Sequence, residues 1–149
     1  WGLKPAGLGA RDLLRLEMGY LLYGNDMDED TTPLEANADW TVSFQKGEFI
    51  GSQALMAQKQ AGIARRFVDF ELVERDVPRH GFRILDHAAS QPIGDVTSGN
   101  LSPILQKGIG LGYVPARFAE PGASLLIEIH SKSIPARVVK PPFYQRKKT

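Results

Sequence analysis

The side chains of this 149-residue sequence that could do chemistry are arginines, carboxylates, tyrosines and three histidines, and there is no cysteine. Without a thiol, a disulfide framework, a thiolate nucleophile and a zinc ribbon are excluded. His80, His87 and His130 are scattered, with no two at ligand spacing, and read as surface or turn residues. The acidic run Asp26-Met27-Asp28-Glu29-Asp30 has the charge density of a cation site. It lacks the glycine and the distal bidentate glutamate of a calcium loop, so no metal is expected; Asn25 and Asp26 are instead expected to hydrogen-bond neighbouring backbone. Arg11 carries a planar fork of donors suited to a carboxylate or a carbonyl. Arg66, beside Arg65, offers a second fork, and Tyr144, in Pro141-Pro142-Phe143-Tyr144, offers a ring that can stack while its hydroxyl fixes a polar group. By residue type alone, a helix arginine most often faces solvent beside an acid, an arginine pair most often opens a strand, and a tail tyrosine packs on its own domain.

These groups need elements to hold them. Ala10, Leu14, Met18, Leu21 and Leu22 recur at helical spacing from near Gly9, which predicts a helix with an apolar stripe and with Arg11 and Arg15 on a different face. Asp12, three before Arg15, partly offsets the repulsion between the two arginines. The acidic loop follows, and Thr32 as N-cap with Pro33 and Glu35 behind it predicts a short helix toward Trp40. Ser52 is the expected cap of a further helix carrying Ala54, Leu55, Met56 and Ala57, stopped by Gly62. From Arg65 the period changes. Strand-like runs at 67–73, 82–86, 92–98, 108–114, 124–130 and 134–139, separated by turn signals such as Pro78, Pro103 and Pro121-Gly122, predict an antiparallel barrel or sandwich. The expected fold class is α+β: a helical segment, residues 1–64, followed by a small β domain, residues 65–149.

Eighteen basic residues against 17 acidic give a formal net charge of +1, which favours no polyanionic partner, and nucleic acid is not expected. Apolar stretches such as Leu125 to Ile127 fall far short of the roughly 20 residues a membrane helix requires, so no membrane partner is expected. The tail Arg146-Lys147-Lys148 reads as a solvated end. The start at Trp1-Gly2-Leu3-Lys4-Pro5 has no signal-peptide pattern and reads as the beginning of a truncated piece.

Gly7-Leu8-Gly9-Ala10-Arg11-Asp12-Leu13-Leu14-Arg15-Leu16-Glu17, followed by the run from Leu22-Tyr23-Gly24-Asn25-Asp26 through Thr31-Thr32-Pro33-Leu34-Glu35-Ala36, resembles the signature of the glycine cleavage system T-protein family. Trp40-Thr41-Val42, the run from Asp95-Val96-Thr97-Ser98-Gly99 to Pro103, and Gly110-Leu111-Gly112-Tyr113-Val114 extend the resemblance over essentially the whole chain.

The resemblance implies a three-domain protein around a folate cavity, with residues 1–64 from its central domain and 65–149 its carboxy-terminal β-barrel. It implies transfer of an aminomethyl carbon from the lipoyl arm of H-protein to tetrahydrofolate with release of ammonia. The family's folate-binding arginine corresponds to Arg11. Tyr144 matches its aromatic tail, and Arg66 falls where basic residues occur in the family. The catalytic aspartate lies in an upstream domain, so no catalytic residue is expected here and the fragment is expected to be inactive. The implied compartment is the bacterial cytoplasm or, in a eukaryote, the mitochondrial matrix. Two alternatives stay open: the carboxy-terminal part of a sarcosine or dimethylglycine dehydrogenase, and a non-enzymatic folate-binding module.

Overall fold

The computed structural model describes residues 1–145. Two helices, α1 (Leu8–Glu17) and α2 (Ser52–Ala61), precede six strands: β1 (Arg65–Leu72), β2 (Arg83–Asp86), β3 (Pro92–Ser102), β4 (Lys107–Pro115), β5 (Ser124–Ile129) and β6 (Lys132–Val139). The strands close into an antiparallel barrel in the order β1-β4-β3-β2-β5-β6. β1 pairs with both β4 and β6, which joins the two ends of the sheet and excludes the sandwich. The chain thus has the expected α+β class. Closure satisfies the backbone groups an edge strand would expose.

Two apolar clusters share the barrel wall. Val68, Phe70 and Leu72 of β1 point inward with Ile84, Val96, Val114, Leu125, Ile127, Ile129 and the buried residues of β6. Phe67 of β1 and Ile109 and Leu111 of β4 point outward against Leu16 of α1, with Leu21, Tyr113 and Phe143 packed on the rim. The two-residue period of a strand separates these faces. Because both are covered, β1 reads as a nearly continuous apolar run whose alternation is loose. Gly108, Gly110 and Gly112 line the inner face of β4, and the interior side chains Leu72, Phe70 and Ile84 stand within van der Waals contact or closer of where a Cβ would be.

Helical expectations fared less well. α1 ends at Glu17, and Gly19 turns the chain in the left-handed region (φ 70°), its N–H donating to Leu16 O at 2.9 Å. Leu21 and Leu22 therefore lie beyond the helix. Leu14 is 63% and Met18 37% exposed, so the expected stripe is not the buried face; Leu16 and Glu17 are. No α-helix starts at Thr32. Its hydroxyl accepts from Glu35 N at 3.3 Å and Glu35 Oε2 accepts from Thr32 N at 3.1 Å, but the turn stops at Asn37, whose φ of 53° breaks the helix and whose Nδ2 donates to Phe67 O at 2.6 Å. α2 forms as expected up to Gly62, although Gly51, not Ser52, is its N-cap.

Among the described residues no helix is long and apolar enough to cross a membrane. The basic tail Arg146-Lys147-Lys148 lies outside the described residues.

Candidate functional site

α1 lies against the outer wall of β3 and β4, held by a buried polar network as well as by Leu16. Arg15 is its hub. Nη1 donates to Asp26 Oδ2 at 2.5 Å, Nη2 to Ser98 Oγ at 2.7 Å, and Nε and Nη2 both to Asp12 Oδ1 at 2.9 and 2.7 Å. Asp26, 1% exposed, also accepts from Leu22 N at 2.8 Å and Thr97 Oγ1 at 2.5 Å. The backbone bond expected of Asp26 is therefore present, and the cation across the seam completes its shell. Asn25 is exposed. Two residues after Arg15, buried Glu17 accepts from Ser102 Oγ at 2.6 Å.

Arg11 sits one turn before Arg15 and is exposed. The neighbouring acid, Asp12, is engaged by Arg15 and leaves the Arg11 guanidinium facing solvent. Tyr144 is half-buried on a strap, residues 140–145, that leaves β6 and returns to α1; its N–H donates to Glu17 O at 3.3 Å. Arg11 is six residues before Glu17, ~9 Å along the helix axis. Arg66 lines a cavity of about 410 Å³ with Asn37, Asp69, Glu120, Lys140 and Pro141. The strap thus brings Tyr144 to α1 and Pro141 to the cavity of Arg66, whereas Arg11 is not among that cavity's lining residues.

Asp69 was not singled out from the sequence. It is 4% exposed on the outer face of β1, and among the described residues its Oδ1 has no hydrogen-bond partner. Burial, and secondarily the charge of Asp26, push its carboxyl up to about 7. The signal available in sequence was a lone acid inside Phe67-Val68-Asp69-Phe70. Burial likewise pushes the Tyr113 hydroxyl up to about 12, opposed by Arg65 and assisted by Asp26. Glu35 moves the other way: burial would raise it, but bonds from Thr32 and Arg65 hold it below the usual carboxylate range.

The sign for Asp69 is that of a group favouring its neutral form in the fold. Its contribution to stability is complete below its ordinary value of 3.8, is lost as pH rises from there toward about 7, and changes no further above. The limiting slope is about 1.4 kcal/mol per pH unit. Asp69→Asn is expected to flatten this part of the profile, so that its stability advantage over the native chain in urea titrations grows from pH 4 to 7. An advantage that does not vary with pH would contradict the assignment.

Two stretches of the chain match described protein families. Residues 65–145 match the family described as "Glycine cleavage T-protein C-terminal barrel domain", and residues 1–46 match "GCVT N-terminal domain". The aminomethyltransferase of Halothermothrix orenii is 54% identical over 95% of this chain and 39% of that protein. The aminomethyltransferase of Thermosynechococcus vestitus is 52% identical over 97% of this chain and 39% of its own length. The crystal structure of glycine cleavage system aminomethyltransferase T from Bartonella henselae superposes with a TM-score of 0.86 at 36% identity, covering 93% of this chain and 39% of that one. The chain spans about two-fifths of the length of the curated relatives it matches. With the barrel family matched over residues 65–145, more than half of the chain, and the buried seam formed from the very motifs that carried the resemblance, the chain belongs to the glycine cleavage T-protein family.

Proposed function

We propose that these residues form the carboxy-terminal part of a tetrahydrofolate-dependent aminomethyltransferase, with residues 1–64 contributing to a central folate-binding domain and 65–149 forming the terminal barrel domain. The intact protein transfers the aminomethyl carbon from lipoylated H-protein to tetrahydrofolate and releases ammonia. Relatives named as aminomethyltransferases support this over a dehydrogenase or a pure binding module. The observation that carries the reading is the return of the strap to α1, which sets Tyr144 on the same helix as the solvent-facing Arg11.

The donor set fits the ligand. Arg11 and Arg66 offer planar forks to carboxylate or pterin carbonyl groups, and the Tyr144 ring offers a stacking surface. Tetrahydrofolate, when bound, supplies the nitrogen that accepts the one-carbon unit. The chain's own groups orient that ligand. Arg15 fixes the helix on which Arg11 stands, and the strap sets the position of Tyr144. On this reading the acid–base group comes from sequence outside these residues, and residues 1–149 alone turn nothing over.

Arg11→Ala in the intact enzyme is expected to weaken tetrahydrofolate binding by roughly 10- to 100-fold, the value of a charge-assisted hydrogen bond of ~1.5–3 kcal/mol. Calorimetric titration measures it, with circular dichroism as the control for folding. An affinity within twofold of the native value would remove Arg11 from the folate site.

A further inference from the structure

Asp69 lines the same cavity as Arg66 but has no role of its own in the proposed reaction. It lies where three elements meet: the turn after α1, the outer face of β1 and the strap. A Cβ built on Gly19 would stand 2.7 Å from Asp69 Oδ1 and 2.6 Å from Pro141 Cβ, so glycine is what allows the three to close together. Asp69 is opposite Leu111 of β4 and Val139 of β6 in the barrel ladder.

The charged groups around this seam give an ionised Asp69 little support. From α1 and its loop, Arg15 is committed to Asp12, Asp26 and Ser98, Asp26 adds a like charge, and Glu17 is buried on Ser102. On the same face of β1, Glu71 is paired with Lys107. β4 presents Lys107, committed to Glu71, and the Tyr113 hydroxyl, which donates to Asp26 O at 2.8 Å, while β6 presents Arg137, exposed and opposite Glu71. Around the adjoining cavity stand Arg66, Lys140 and Glu120, all exposed.

A carboxylate so placed is relieved by whichever wall yields most easily. β4 and β6 are fixed in continuous ladders. The strap is not: among the described residues it is held by Pro141 against Gly19, by Phe143 against the outer cluster and by one backbone bond, from Tyr144 N to Glu17 O. Opening it admits water to Asp69 without disturbing the barrel. We propose that Asp69 is a proton-operated latch for the carboxy-terminal strap, seating it on α1 when neutral and loosening it when ionised. The latch stands on the geometry of the seam. Its consequence for ligand, that acidification tightens the seat of Tyr144, rests on the folate reading above.

Linkage sets the form of the response. With the carboxyl at its ordinary value of 3.8 in the open state and about 7 in the closed state, the opening equilibrium rises about tenfold per pH unit between those limits and is level above them. On the full chain, amide hydrogen exchange at Tyr144, corrected for intrinsic rates, and the ¹³C shift of the Asp69 carboxyl are followed from pH 5 to 8.5. The protection factor of Tyr144 is expected to fall about tenfold per unit up to the carboxyl's own inflection and to stay constant beyond it. In Asp69→Asn it should hold its low-pH value throughout. A flat profile in the native chain overturns the latch, as does a carboxyl that titrates in the ordinary range or the same slope in Asp69→Asn. Should Asp69→Asn fail to fold, the native carboxyl and amide profiles decide by themselves. A latch that works while tetrahydrofolate affinity of the intact enzyme ignores it would fault the role of Tyr144 and leave the latch standing.

Discussion

Arg15→Ala is expected to cost about 3–5 kcal/mol of folding stability, the penalty for stripping the partner from a buried charge. Asp26 has no exposed side-chain surface, and Arg15 is only 12% exposed, so water does little to soften the loss. Thr97 and Leu22 would continue to donate to Asp26, but neither carries the compensating charge. The same substitution removes the link from α1 to Ser98, 83 residues away. Asp26→Asn introduced into Arg15→Ala should recover part of the loss, because it removes the orphaned charge while keeping an acceptor for Thr97. Urea denaturation at pH 7 of the native chain, both single variants and the double variant measures this. A loss below about 1 kcal/mol, typical of a hydrated surface pair, would mean that the network is solvated and is not what seats the helix.

Gly110→Ala is expected to destabilise the barrel by about 3 kcal/mol, at the upper end of ordinary overpacking. Gly110 is opposite Phe70 in the β1–β4 ladder, and the added methyl would overlap Phe70 Cζ. The Phe70 ring is fully buried in the barrel interior and has no solvent side to turn toward. The cause is steric and not a matter of backbone freedom, since Gly110 is not among the glycines with positive φ. A test follows from that distinction. In a Phe70→Leu background the same alanine should cost less than 1 kcal/mol, giving a coupling of about 2 kcal/mol, in the range for directly touching residues. Equal costs in both backgrounds would mean that Phe70 is not the obstacle.

Both effects arise from contacts between distant residues, and this divides what was legible in the sequence from what was not. The six strands were readable because turn residues and a change of period act locally: Pro103 and Pro121-Gly122 bound their strands wherever the sheet goes. α2 was readable for the same reason, with Gly62 ending it. The helix expected after Thr32 was not, because Asn37 gives its amide to Phe67 O and a tertiary bond outweighs a local capping box. The face of α1 was misread because spacing shows that a helix is amphipathic only if its end is known, and Gly19 ends it before Leu21.

The motif around Arg11 pointed to α1 as the region of the folate site proposed above, and the kinds of group that region offers were legible in the residue types. Which arginine builds the seam was not: Arg15 looked like a crowded neighbour of Arg11, yet its partners lie 3, 11 and 83 residues away. Local sequence thus determined the strands, their order along the chain and the kinds of group available for binding. Closure of the barrel, the burial of β1 on both faces and the stranding of Asp69 between α1 and the strap were decided only by tertiary structure. The physical reason is that burial and desolvation belong to a volume enclosed by several segments at once, and no one of those segments carries a record of the others.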